Sequence, residues 1–185
     1  RAAAERLPAR FEVGDCEDIA FPDSSFDAVL SVYGSMFAPR QEKAAQELLR
    51  VCRPKGKIGM TNWTPDGFWG QAFGLQAKYV PPPAFLRPPT EWGTENRLRE
   101  LFGHEVSSMQ ITRRSALFRY RSSRHWIEVF RTHFGPVIRT IEALDEERCR
   151  SYLMDLDAML NRFNRSGDQT LVVSADYLEV VMVKR

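Results

Sequence analysis

The residues best suited to chemistry in this chain are carboxylates placed just after a short apolar run. Phe11-Glu12-Val13-Gly14 leads into Asp15-Cys16-Glu17-Asp18, and the apolar Ile19-Ala20-Phe21 follows. An ionised carboxylate only accepts hydrogen bonds. In open α/β sheets, ligands settle in the crevice beyond the carboxyl ends of the strands. Asp15 is therefore a candidate to receive a ligand's donor group; the alternative is a solvated acidic turn. A second cluster, Ser31-Val32-Tyr33-Gly34, ends the next apolar run, and Met36 and Phe37 follow closely enough to wall a substrate pocket. Gly34 would let backbone approach a ligand closely. The alternative for Tyr33 and Phe37 is an ordinary place in the core. Asn62 and Trp63 end a third run, where Trp63 could stack on a flat molecule.

Other chemistries find little support. Cys16, Cys52 and Cys149 are far apart with no Cys-x-x-Cys pair, so neither a zinc site nor a disulfide framework is indicated. No metal is expected, and free thiols fit a reducing cytoplasm. His104 and His125 read as surface residues. His133 lies near Phe130 and Phe134 and could face a pocket, the alternative being a partly buried structural imidazole. No Gly-x-Ser-x-Gly elbow is present, which leaves hydrolysis unsupported. No Gly-x-Gly-x-x-Gly is present either, which argues against a nicotinamide oxidoreductase. The sequence names no catalytic base.

The elements that must position these residues alternate between strand and helix. Arg10–Val13 reads as a strand and Asp23-Ser24-Ser25 as a turn. Phe26 to Val32 is nearly continuous in apolar residues, as a parallel strand covered on both faces would be. Gln41 to Cys52 carries Ala44, Ala45, Leu48, Leu49 and Cys52 at the spacing of one helix face. Pro54 and Gly56 end that helix before the strand from Lys57 to Asn62. Alternation of this kind argues for a parallel sheet. Further helices are expected over Phe68–Tyr79, Thr94–Phe102, about 122–132 and 145–163. Strand-like runs are expected over 106–113, 116–121, 171–173 and 177–183, and residues 1–6 read as the last turns of a helix. Pro81-Pro82-Pro83 through Pro88-Pro89 is a rigid extended connection.

The order of elements, with Gly14-Asp15-Cys16-Glu17-Asp18 and Phe21-Pro22-Asp23-Ser24-Ser25-Phe26-Asp27, resembles the class I S-adenosylmethionine (SAM) dependent methyltransferases. The branch it is most similar to includes the ubiquinone and menaquinone methyltransferases. The resemblance implies an α/β, Rossmann-like methyltransferase sheet, incomplete at the N-terminus, with a helical substrate-side insertion and C-terminal β-strands. It divides the chain into residues 1–63, the later part of the SAM-binding core; 64–165, a helical lid with part of the sheet; and 166–185, strands completing the sheet. It implies that Asp15 accepts from the adenine amino group and that the Cys16 amide donates to the same ring. It implies that Ser31, Val32 and Tyr33 line the methionine end. Arg53-Pro54-Lys55-Gly56 matches the family's Arg-Pro-Gly-Gly turn, with Lys55 in place of the first glycine. The family's glycine-rich loop and ribose-binding acid lie upstream of every residue here, so the expectation is a shortened form whose cofactor grip is impaired. The rival expectation is a non-catalytic domain that binds or oligomerises.

Composition bounds the partners. The 185 residues are 43% hydrophobic and 27% charged with a net charge of +2, too little for a nucleic-acid surface. No window approaches the roughly 20 apolar residues of a membrane span. The expected substrate is a small apolar or aromatic molecule. If no strand covers it, the run from Ala28 to Val32 would expose an apolar edge, and a homodimer formed by edge pairing or by exchange of the N-terminal segment is expected.

Overall fold

The computed structural model describes residues 4, 5 and 7–185. Its scaffold is a four-stranded mixed sheet in the order β1-β2-β4-β3. β1 (Phe26–Val32) pairs in parallel with β2 (Cys52–Trp63), through register partners such as Val29 with Ile58 and Val32 with Thr61. β4 (Leu171–Lys184) runs antiparallel to both β2 and β3 (Val106–Tyr120). The expectation of a parallel sheet thus holds for one pair. It fails where β3 and β4 meet, because these two long strands pair along their whole lengths. The strand runs expected as separate pieces merge for the same reason: ladder hydrogen bonds carry the chain through Arg114 and Ser115 opposite Tyr177 and Asp176.

Among the described residues are six α-helices, five of which follow the expected apolar spacing. α1 (Gln41–Val51) buries Ala44, Ala45, Leu48 and Leu49. Each buried leucine contributes roughly 1.5–3 kcal/mol by leaving water. Lys184, at the end of β4, donates to the carbonyls of Leu49 and Cys52, both at 2.8 Å, and so satisfies acceptors at the end of α1. α2 (Phe68–Tyr79) and α3 (Glu95–Phe102) have the expected limits. Side chains at the helix starts accept from the first turns: Thr94 from the Arg97 amide, Ser122 from that of His125 ahead of α4 (Ser123–His133), and Asp145, expected inside the last helix, from that of Arg148 ahead of α6 (Glu146–Phe163). α5 (Gly135–Glu142) was not expected. Its signal is short, and Pro136 in its first turn reads equally as a loop residue.

Three local expectations need correction. Arg10–Val13 forms no strand; Phe11 and Val13 are exposed, and no ladder partner holds them. β1 is not covered on both faces, since it lies at the sheet edge with Leu30 and Val32 about 70% exposed (74% and 68%). The expected helix over 1–6 falls mostly outside the described residues, and Ala4 and Glu5 lie in a turn. Lys55, by contrast, takes the position that the resemblance gives to glycine. It has φ of 64°, a left-handed conformation costing a side-chain residue about 1–2 kcal/mol.

The core on the α2 face of the sheet is aromatic. Trp69 packs against Trp63, Phe118, Trp126, Phe130 and Phe134 with ring centroids 5.2–6.2 Å apart. Trp126 stacks on Phe130 at 3.7 Å. These rings fuse α2, α4 and the sheet into one body.

Candidate functional site

The acidic loop at 15–24 has almost no regular structure of its own, and two buried carboxylates hold it in place. Glu17 accepts the Arg40 amide and the Arg40 Nε, each at 2.6 Å. These bonds, the amide first, hold the Glu17 carboxyl below its ordinary pKa. Glu47, on α1, accepts the Ile19 amide at 2.7 Å and two Arg50 nitrogens at 2.7 Å. The Arg50 hydrogen bonds lead in lowering its pKa to about 2. Arg50 in turn donates to the carbonyls of Ile19 and Phe21 and to Asp23 at 2.7–2.8 Å. The helix therefore grips the loop from one side and the Arg40 segment from the other. Glu17 was expected only as part of the acidic turn, and Glu47 and Arg50 were not singled out. The available signal was Glu47 and Arg50 on the helix face that Ala44 and Leu48 bury.

This grip sets Asp15 and Cys16 on the rim of an open cleft of about 690 Å3, which Ser31, Val32, Gly34 and Ser35 also line. Asp15 is exposed, and one of its carboxylate oxygens accepts the Glu17 amide at 2.8 Å. The Cys16 thiol is pushed up by burial first and then by Asp15 and Glu17, so it stays protonated near neutrality. Ser31 and Ser35 share a hydrogen bond of 2.7 Å, and Ser31 Oγ accepts the Ser35 amide at 3.0 Å. This buried pair fixes the direction in which the chain leaves β1.

Tyr33 does not line the cleft. Its ring stacks on Trp63 at 3.8 Å with planes 7° apart. Its backbone has φ of 52°, and burial pushes its hydroxyl up to about 12. A non-glycine residue in that conformation persists only where its surroundings overdetermine it; here the stack and a bond from its amide to the Thr61 carbonyl at 3.0 Å do so. The conformational demand at this corner falls on Tyr33, whereas Gly34 has φ of −99°, open to any residue.

After Gly34 the chain makes a single 3-10 turn, Ser35–Phe37. Beyond it lies a second cavity of about 530 Å3. Met36, Phe37, Phe73, Ala77, Leu86 and Pro88 supply most of its apolar wall. Phe37 meets Phe73 edge-on at 5.7 Å. The proline tract forms the outer wall, where the Pro88 carbonyl accepts from Gln41 at 3.2 Å. Gln41 is held by Arg97 Nε at 3.1 Å, and Arg97 also reaches Glu42. The charged residues lining the cavity, Arg87 and Glu91, pair with each other at 3.1 Å.

The structure thus brings together Asp15, Cys16, Ser31 and Val32 in one cleft and Met36 with Phe37 in the next. It removes three expected residues from the site. Tyr33 and Trp63 spend their faces on each other, and Trp63 is buried among Trp69, Phe118 and Tyr177. His133 is exposed at the end of α4 and lines neither cavity. Asn62 lines neither cavity as well; it is fully buried, and among the described residues neither polar atom of its carboxamide has a partner.

A parallel pair with its carboxyl-end loops around an open cleft, extended by antiparallel strands, is a mixed α/β sheet of the Rossmann-like kind. Residues 1–60 match the family model described as "Methyltransferase domain". An uncharacterized protein of Mycobacterium tuberculosis is 37% identical over 171 residues, covering 84% of this chain and 62% of that protein. The demethylmenaquinone methyltransferase of Deinococcus radiodurans is 33% identical over 84 residues, covering 44% of this chain and 35% of the enzyme. In fold, the YcgJ protein of Bacillus subtilis superposes with a TM-score of 0.61 at 16% identity, over 100% of this chain and 75% of that one. The first third of the chain is thus similar to the methyltransferase-domain family, and the fold as a whole to Rossmann-like methyltransferases. It spans about three-fifths (62%) of the length of the mycobacterial relative.

Proposed function

We propose that this chain takes part in SAM-dependent methyl transfer to a small, uncharged, largely apolar molecule. The observation that carries this reading is the pair of neighbouring cavities divided by the Ser35–Phe37 turn, one rimmed by Asp15 and the other apolar. SAM supplies the electrophilic methyl group. The protein's own share is positioning: Asp15 and the Cys16 amide orient the adenine, the Ser31–Ser35 pair fixes the turn, and Met36 with Phe37 abuts the acceptor. Such orientation lowers a barrier by roughly 7–11 kcal/mol at most. No imidazole lines the second cavity, and Tyr33 stays protonated at neutral pH, so neither supplies a base.

The family's glycine-rich loop is not among these 185 residues, so we propose that they alone hold SAM weakly. Calorimetric titration tests both points. Little heat is expected from the 185-residue form. A longer form carrying the loop should bind, with Asp15→Ala about tenfold weaker. Micromolar binding by the short form would make the loop dispensable, and unchanged affinity in the variant would remove Asp15 from the site.

A second reading is favoured by the exposed β1 edge. The 185-residue chain pairs through Leu30 and Val32 with a second copy and acts as an oligomerising module, because an unpaired apolar edge invites another strand. A monomer by light scattering at low concentration would refute it. A cytoplasmic setting is proposed from the three free cysteines.

A further inference from the structure

We propose that Gly74 sets the length of acceptor the second cavity admits, an inference resting on the reading of that cavity as the acceptor site. α2 carries two glycines one turn apart, and they are there for different reasons. A Cβ on Gly70 would lie 1.9 Å from the Pro65 carbonyl oxygen, so close packing excludes any side chain. A Cβ on Gly74 would meet nothing within 4 Å. Glycine inside a helix is costly relative to alanine, and no packing demand at position 74 accounts for it.

What the missing side chain leaves open is space. Gly74 borders the apolar cavity on one side, next to Phe73 and Ala77, and on the other a groove of about 500 Å3 toward α6 that Asp155 and Arg162 line. Gly70 lines both spaces as well, but of the two only Gly74, which is exposed, leaves open space where a side chain would stand. The cavity's volume lies within the roughly 300–1,000 Å3 of small-molecule sites. The occupant is uncharged, because Arg87 and Glu91 neutralise each other at 3.1 Å. An acceptor entering beside Phe37 runs along the bare backbone of α2, and a side chain at 74 shortens that path.

The test is fluorescence titration with the uncharged probe N-phenyl-1-naphthylamine, on the 185-residue chain without SAM. Wild type should bind. Gly74→Leu should weaken binding by about tenfold, as expected where a filled pocket rejects a ligand. Gly74→Ala should weaken it less while raising the melting temperature by roughly 2–4 °C, the gain of alanine over glycine in a helix. Ala158→Leu, on the α6 side and exposed, should leave binding unchanged. Wild-type affinity in Gly74→Leu, an equal loss in Ala158→Leu, or no binding by wild type would overturn the inference. Failure of the longer, loop-carrying form to bind SAM would instead strike the methyltransferase reading alone, since the probe assay contains no SAM.

Discussion

The two cavities that flank the Ser35–Phe37 turn are built by opposite means. The cleft beside Asp15 is rimmed by an irregular loop that buried charges hold: Glu17 on Arg40, and Glu47 on Arg50 and the Ile19 amide. The cavity beside Phe37 is shaped by helix, proline and apolar side chains, with its charges paired at the mouth. Its geometry depends on volume. The lesson is that each half fails in its own way: the first by loss of charge, the second by a change in size.

The largest effect is expected on the volume side. Gly70→Ala places a methyl group 1.9 Å from a backbone oxygen that cannot rotate away. A loss of about 3 kcal/mol is expected, at the upper end for overpacking. Chemical denaturation measures it, and a loss below about 1 kcal/mol would show that α2 shifts freely against Pro65.

On the charge side, Glu47→Gln should cost about 1–3 kcal/mol, by leaving Arg50 and the Ile19 amide with a weaker partner. The pH dependence has a definite sign. Folding depresses the Glu47 carboxyl from 4.5 to about 2, so its stabilisation is present above 4.5 and is lost as pH falls from there toward 2. Thermal melts of wild type and variant should converge across that window. Parallel curves would mean that the acidic loop is held by something else.

The smallest effect sharpens the comparison at the seam. Thr94 caps α3 by accepting the Arg97 amide at 3.3 Å and donates to the Glu91 carbonyl at 2.8 Å, next to the cavity wall. Thr94→Ala should cost about 0.5–2 kcal/mol. It should weaken N-phenyl-1-naphthylamine binding and leave the Asp15 loop untouched, as hydrogen exchange would show. Loosening of both sites would join what the structure separates.

The helices were legible because their signals are local: apolar spacing in α1 and α6, a cap ahead of α3 and α4. Asp15, Cys16, Ser31 and Val32 were legible as a cluster because loops at strand ends of such sheets converge. The side chains around them were less so. Trp63 and His133 have the types of ligand-binding residues, yet one is spent on Tyr33 and the other faces solvent.

The sequence by itself determined most of the helices and strands, the likeness of its first part to a methyltransferase domain and the two stretches that line the cavities, since these rest on periodicity, turn chemistry and short motifs. Only the tertiary structure decided that β3 and β4 run antiparallel as unbroken strands and that Tyr33 carries the left-handed corner. It alone decided that Glu47 and Arg50 hold the acidic loop and that a side chain at Gly70 would strike the Pro65 carbonyl while one at Gly74 would meet open space. The physical reason is the same throughout. Whether a ring, a carboxylate or a missing side chain serves packing or a ligand depends on what stands within a few ångströms of it, and those neighbours lie tens of residues away in the chain, as Ile19 does from Glu47.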